Sequence, residues 1–456
     1  MVYVVFIFIL VIVAGTSVLN LRKGIQLYIL LYPFCQPYML IVFGKTNISL
    51  QAISALVMTL LMVYDYFMGK RIYKFFKENI HKTTVIFFIF LIFLTVLIDT
   101  DIFASNLGLY ILFICRKVSF IYLGWLSFNT LPEGMGLLKK ILLLFAFLLI
   151  YGLFESMTQN NIILNYLSGS SADAALNIIS YDTDIRGFRE QSIFYHAYSW
   201  GGVLVILTPL CLYLTLNSPT KKKSQFYLFL FLLVMGNIVL THSRSCILPA
   251  LFMVGLLLML RSGNRSRKLG YFVPLFLAAI AVVLFNGKLL KAIEPYFSVS
   301  ESDSFRGSNT EMRLTQLIAA YSYVKTHFWG GNGFDFSKEL LQTNGSDTDL
   351  EGAESIWFVA LIDNGVLGVA AYLLFFITIL RTFFRIKRGG KKPAFVQQVN
   401  YIIIGIIGYL LFITLTGEMN TFAYFMIALG MASRAIYLQV KTMQVETVVQ
   451  EKVFSF

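Results

Sequence analysis

Several arginines in this chain are spaced so that they could serve an anionic ligand. Arg244 stands in THSRSC, residues 241–246, between two apolar runs. Arg186 and Arg189 lie in DIRGFREQSIFYHAYSWG, and Arg306 and Arg313 in FRGSNTEMRL. A guanidinium keeps its charge and forks onto phosphate oxygens, so a converging set points to a diphosphate. Arg244 also opens a helix, where the dipole disfavours a cation. A bound anion would offset that penalty; so would snorkelling to lipid phosphate or a loop carboxylate. Each arginine alone is equally explained by a loop salt bridge. Glu354, in AESIWFVALIDNGVLG, opens a further apolar run. A carboxylate there suits the helix N-terminus, and it could equally take a proton from a hydroxyl. Glu190 and His327 stand near the same segments and are further polar candidates for a substrate site, whereas His81 reads as ordinary. There is no His-x-x-x-His and no Cys–His ligand spacing, so neither a metal nor any other cofactor is expected.

The elements that must position these residues are set by composition. Of 456 residues, 57% are hydrophobic and only 13% charged, about half the usual charged share of a globular protein. Mean hydropathy is +0.74. Such a chain cannot hide its apolar surface from water, which excludes a soluble enzyme, a disordered chain and a disulfide-stapled secreted domain. The apolar runs are continuous rather than alternating, so the spans are helices and not barrel strands. They lie near residues 3–19, 25–43, 50–68, 84–98, 107–128, 138–155, 194–216, 225–241, 245–260, 270–286, 355–380, 398–416 and 420–438. The expected fold is all-α: an integral membrane bundle of about thirteen helices. Cys35, Cys115, Cys211 and Cys246 fall in or beside apolar runs and read as packing residues. The apolar N-terminus lacks a basic leader and reads as a retained first helix.

The net charge of +13 follows from the cytoplasmic excess of Lys and Arg and calls for no nucleic acid. Basic connections occur at Lys70–Lys82, at Lys221–Lys223, at Arg261–Lys268 and at Arg381–Lys392. All four fall on one side if the N-terminus is outside and the C-terminus cytoplasmic. Arg116 and Lys117 interrupt the fifth stretch, as a cavity lining or a break between two shorter helices. The other side then receives the segments 157–193 and 287–354, the second too long for a plain connection. Within it, EMRLTQLIAAYSYVKTHF (311–328) has helical apolar spacing and is expected along the membrane surface or over the bundle. WGGNGF (329–334) reads as a flexible turn, since no Walker Lys-Ser/Thr follows it. No internal repeat or soluble domain is apparent.

Taken in order, RGFREQS (186–192), THSRSCILPAL, the stretch from Arg313 to Gly333, and DNGVLGVAAYLLFF resemble the O-antigen polymerase and ligase superfamily. The resemblance covers residues 186–380 best. It implies a GT-C-like bundle with a large outer loop and a multi-pass protein of the bacterial inner membrane. It also implies glycosyl transfer from an undecaprenyl-diphosphate oligosaccharide, with Arg244 and Arg313 on the diphosphate. Partners would be lipid-linked oligosaccharides, membrane lipids, a flippase and a chain-length regulator. Many members, the ligases especially, carry a histidine where this chain has Glu354, and that departure favours a polymerase building a surface polysaccharide. The alternatives are a ligase and, outside enzymes, a lipid-linked oligosaccharide transporter, which predicts broken helices and mid-membrane charges. Tyr181, Phe188, Tyr195, Tyr321, Tyr323 and Trp329 are candidates for stacking on sugars, although interfacial belts use the same residues.

Overall fold

A computed structural model describes residues 2–36, 40–43, 46–69, 78–98, 103–168, 188–261, 310–344, 355–390, 392–417 and 419–454. The expected span near 270–286 lies outside them, as do Arg186, Arg306 and Glu354. α1 (Val2–Leu19) meets α2 (Leu21–Leu31) at Asn20, whose side chain accepts the Lys23 N–H and caps α2. α3 (Leu50–Gly69), α4 (Lys82–Ile98), α5 (Phe103–Leu126), α6 (Leu131–Thr158) and the short α7 (Ile162–Ser168) follow. Next come α8 (Ala197–Asn217), α9 (Lys221–Leu240) and α10 (Arg244–Arg261). Two short helices, α11 (Thr310–Val324) and α12 (Phe336–Asn344), precede α13 (Ile356–Gly389), α14 (Pro393–Thr416) and α15 (Phe422–Phe454).

Among the described residues, seven helices are long and apolar enough to cross a bilayer: α5, α6, α8, α9, α13, α14 and the Phe422–Gln444 part of α15. Shorter apolar segments lie in α1, α3, α4 and α10. α6 shows why such helices suit lipid. Leu142, Phe145, Leu148 and Leu149 are buried, while Leu143, Phe147, Ile150 and Phe154 on the other side are exposed. A helix that is apolar all round needs hydrocarbon outside as well as protein inside. The chain is thus a polytopic helical membrane protein.

Two expectations are corrected. The stretch near 25–43 is not one span: α2 stops at Leu31, a 3-10 turn (Tyr32–Phe34) follows, and β1 (Leu40–Phe43) pairs antiparallel with β2 (Thr46–Ser49). Pro33 stands in the first positions of the 3-10 turn and has no N–H to continue an α-helix, and the run Leu-Ile-Val-Phe, with β-branched Ile41 and Val42 and an aromatic, suits a strand. The fold is therefore not purely α. α5, in turn, is one span in which two α-helical parts, Phe103–Phe113 and Phe120–Leu126, meet at Arg116 and Lys117. It passes them as a π-turn, Ile114–Val118, a form that often marks function within helices. Arg116 donates to Gln51 Oε1 at 3.2 Å, and Gln51 Nε2 donates to the Tyr32 hydroxyl at 2.8 Å.

Helix directions follow from close contacts. Gly405 of α14 faces Pro209 of α8, Gly408 faces Met253 of α10, and Phe412 faces Gly202. α14 therefore runs antiparallel to α8 and α10, with glycines admitting the close approach that membrane helices use in place of a hydrophobic drive. α4 runs antiparallel to α13, since Thr95 meets Asn364, Phe88 meets Tyr372, and His81 meets Phe383. One end of the bundle thus carries the α9–α10 turn, the start of α13 and the end of α14. The opposite end carries Lys221–Lys223, Lys387 and Arg388. There Arg434 donates to Glu78 (3.1 Å), Phe128 O and Asn129 Oδ1, and lies over the Trp125 ring.

Candidate functional site

Arg244 is held by a short turn. α9 ends at Leu240, His242 takes the left-handed conformation (φ 49°), and Arg244 opens α10. The Ser243 carbonyl accepts the N–H groups of Cys246 and Ile247 and begins the α10 ladder. Thr241 Oγ1 accepts the Ser243 N–H at 3.3 Å. Gly201 of α8 lies directly against Cys246, so α8 and α10 touch at this turn.

The segment from Phe188 to His196 is fastened to the same turn. Glu190 N–H donates to Leu240 O, and Arg189 Nε donates to Thr241 O, both at 3.1 Å. The Arg189 guanidinium lies 4.8 Å from the centre of the Tyr198 ring, a cation–π contact. His196 caps α8 by accepting the Tyr198 N–H on Nδ1 at 3.0 Å. Burial, aided by the nearby Arg189 charge, lowers the His196 pKa to about 3, so the ring stays neutral and can accept that bond.

Two buried acids sit beneath the segment. Glu190 Oε1 accepts the Trp200 indole N–H at 2.8 Å, and the residue is fully buried. Its carboxyl rests against Gly152 of α6, where a Cβ would meet Glu190 Oε1 and, at 2.6 Å, Asn237 Oδ1. Burial pushes the Glu190 carboxyl up to about 9; the Trp200 bond opposes this and the Glu155 charge adds to it. Glu155 accepts Ser192 N–H at 2.7 Å, Asn161 Nδ2 at 2.9 Å and Gln191 N–H at 3.3 Å. Sequence reading missed Glu155, because it ends a strongly apolar helix with no motif around it. A lone acid at the end of an apolar span was the available signal.

Arg313 reaches the same end of the bundle from α11. Its Nη2 donates to Leu415 O at 3.0 Å, at the C-terminus of α14, where the helix dipole favours a cation. Gly417 (φ 64°) closes that helix. Trp357 Nε1 of α13 donates to Thr414 Oγ1 at 3.0 Å, and Ser355 caps α13. The structure thus brings Arg189, Glu190, Arg244 and Arg313 to one end of the bundle. His327 is exposed beyond α11.

WGGNGF is not a free turn. α13 breaks at Gly365 (φ 65°, ψ −163°), and the turn fills the break. Asn332 N–H donates to Ile362 O and Gly333 N–H to Asp363 O, both at 2.9 Å. Val366 N–H donates to Phe328 O at 3.0 Å and Leu367 N–H to Trp329 O at 3.3 Å. Backbone groups freed by the break are thereby satisfied, as burial demands. Buried Asp363 accepts the Ser337 N–H at 2.7 Å and caps the first turn of α12. Among the described residues, no three His, Cys, Asp or Glu side chains are gathered to hold a metal.

Residues 228–373 match the model of a family described as O-antigen ligase. The match covers about a third of the chain and supports a relation of this segment to the O-antigen ligase/polymerase superfamily. The matched segment takes in the Arg244 turn, Arg313, the Gly365 break and the position of Glu354, while Glu155, Arg189 and Glu190 lie before it. No curated protein matches the chain.

Proposed function

We propose that this protein polymerises undecaprenyl-diphosphate-linked oligosaccharide repeat units into a surface polysaccharide. The observation that carries the reading is the approach of Arg244 and Arg313, from separate parts of the matched segment, to one end of the bundle. Both guanidinium groups act on the diphosphate of the donor. An acceptor sugar hydroxyl attacks the anomeric carbon, a new carbon–oxygen bond forms, and the bond to the diphosphate breaks. The diphosphate leaves with the electron pair, and fixed positive charge stabilises it as it departs. Glu354 takes the proton from the hydroxyl. Direct displacement inverts the anomeric centre, and the guanidinium charges serve without a metal. Arg189, Glu190, Arg186, Arg306 and His327 belong to the surrounding binding surface, Arg189 and Glu190 by holding the turn that bears Arg244.

On this reading the helical bundle is of GT-C type and sits in the bacterial inner membrane. The site end faces outward and the C-terminus is cytoplasmic. Support comes from the Lys and Arg residues gathered at the opposite end, the side that positive charge marks as cytoplasmic. A flippase would supply the donor and a regulator would set chain length. The family description itself favours a second reading, a ligase passing the glycan to a lipid or protein acceptor. The break at Gly365 is a discontinuity that transporters also use, but here the turn at 328–333 takes up the freed backbone groups. Purified protein in liposomes, given labelled lipid-linked repeat units, separates the three. A ladder of longer chains is the expected product. Transfer only to an added lipid or protein acceptor would replace polymerase by ligase, and movement without a new linkage would overturn both.

A further inference from the structure

α11 is amphipathic in the wrong sense for a helix in water. Gln316, Ala319, Ala320 and Val324 are buried against the start of α13 and α12. Leu314, Leu317, Ile318 and Tyr321, spaced i, i+3, i+4 and i+7, form one stripe on the opposite face. They are 58%, 46%, 62% and 54% exposed. A surface helix facing water puts polar residues there, and a contiguous exposed apolar strip marks a contact with something other than water.

The surroundings of the stripe name that partner. The turn after α11 exposes Phe328 and Trp329, and Gly330 packs on Ile98 and Thr95 at the end of α4. α4 is apolar all round. One face packs on α13, and the other exposes Ile86, Phe87, Phe90, Leu97 and Ile98. That outer face is of the kind that meets hydrocarbon, and the turn that follows α11 packs at its end through Gly330 and Ile98. Exposed Tyr321, Trp329 and Lys325 add the aromatic and cationic residues that gather at headgroup depth.

We propose that α11 lies in the membrane interface, with Leu314, Leu317, Ile318 and Tyr321 inserted among the lipids at the site end of the bundle. Where the proposed function holds, this insertion also sets Arg313, at the edge of the stripe, at the depth of a lipid-linked diphosphate. The insertion itself does not depend on that function. The native cysteines Cys35, Cys115, Cys211 and Cys246 are all buried, so an added surface cysteine takes a spin label selectively. Ile318→Cys and Leu314→Cys test the stripe, and Thr315→Cys and Ser322→Cys test the polar flank, each in full-length protein in phosphatidylethanolamine–phosphatidylglycerol nanodiscs. Power saturation reads accessibility to oxygen, which concentrates in lipid, against a water-soluble nickel chelate. Oxygen accessibility several-fold above that of the chelate at both stripe positions, with the order reversed at both flank positions, is expected. Equal chelate access at all four positions would put α11 in water and overturn the proposal. Exclusion of both reagents from the stripe would overturn it in favour of a protein partner, such as a second copy of the chain. All four sites are exposed, so labelling disturbs no packing, and the two stripe positions check each other.

Discussion

Replacing Gly365 by alanine should unlock the turn at 328–333 from α13 while leaving the spans in place. The conformation at φ 65° and ψ −163° is open only to glycine, and an L residue held there carries strain of about 1–3 kcal/mol. A Cβ at this position would also lie 2.5 Å from Trp329 O and 2.6 Å from Gly331 N. These are backbone atoms and cannot rotate away, so the turn must retreat from the helix. Four backbone hydrogen bonds cross this junction. Losing two of them, at about 0.5–1.5 kcal/mol each, brings the total to roughly 2–6 kcal/mol. Because the loss is local, hydrogen exchange is the appropriate assay. Peptides covering 328–336 should exchange at least about 30-fold faster, the factor that 2 kcal/mol represents. Those from α8 and α14 should change little. Polymer formation should fall as well, because α11 and Arg313 pack through this junction. Unchanged exchange at 328–336 together with full activity would refute the reasoning.

Three further outcomes are expected. Glu354→Gln should lower turnover by about 10²-fold or more with normal expression if this carboxylate takes the proton; a nearly fully active variant would leave it as a helix-end residue only. Glu190→Gln should flatten the pH dependence of thermal unfolding. The folded pKa is raised, from 4.5 to about 9, so the wild-type carboxyl contributes stability that is full at low pH and lost as pH rises across that window. An unaltered wild-type profile in the variant would exclude Glu190 as its source. Glu155→Ala leaves the buried Ser192 N–H without its acceptor, while Asn161 Nδ2 keeps Ser192 O at 2.6 Å and Gln191 N–H is only half-buried, so thermal melting of the purified protein should show a loss of about 1–3 kcal/mol; an unchanged melting temperature would show that the loop is held by other contacts.

The helices were legible because apolar run length is a strong signal for spans, and α6, α8, α13 and α14 lie close to where that signal puts them. Motif residues were legible for a similar reason: an arginine between two apolar runs, as at Arg244, stands out against its background. The rest depended on long-range pairing. Glu155 and Glu190 act through residues tens of positions away, and Trp200 meets Glu190 only because Gly152 leaves room. β1 (Leu40–Phe43) is hidden at the end of an apolar run, which carries length without geometry, and its partner Thr46–Ser49 lies in the short polar gap before the next run. The role of WGGNGF is set by a break in α13, and DNG alone does not say that α13 opens there to receive it.

In the proposed reaction two arginines hold the diphosphate of a lipid-linked donor. Its most direct test sets wild-type protein, Arg244→Lys and Arg313→Lys side by side in liposomes with the same labelled lipid-linked repeat unit. Lysine keeps the charge but loses the forked donor geometry. Wild-type protein should give a ladder, and each variant should consume donor about 10²-fold more slowly, the scale of a lost transition-state contact, while reaching the membrane in normal amount. Ladders of normal length and rate from both lysine variants would contradict the central claim.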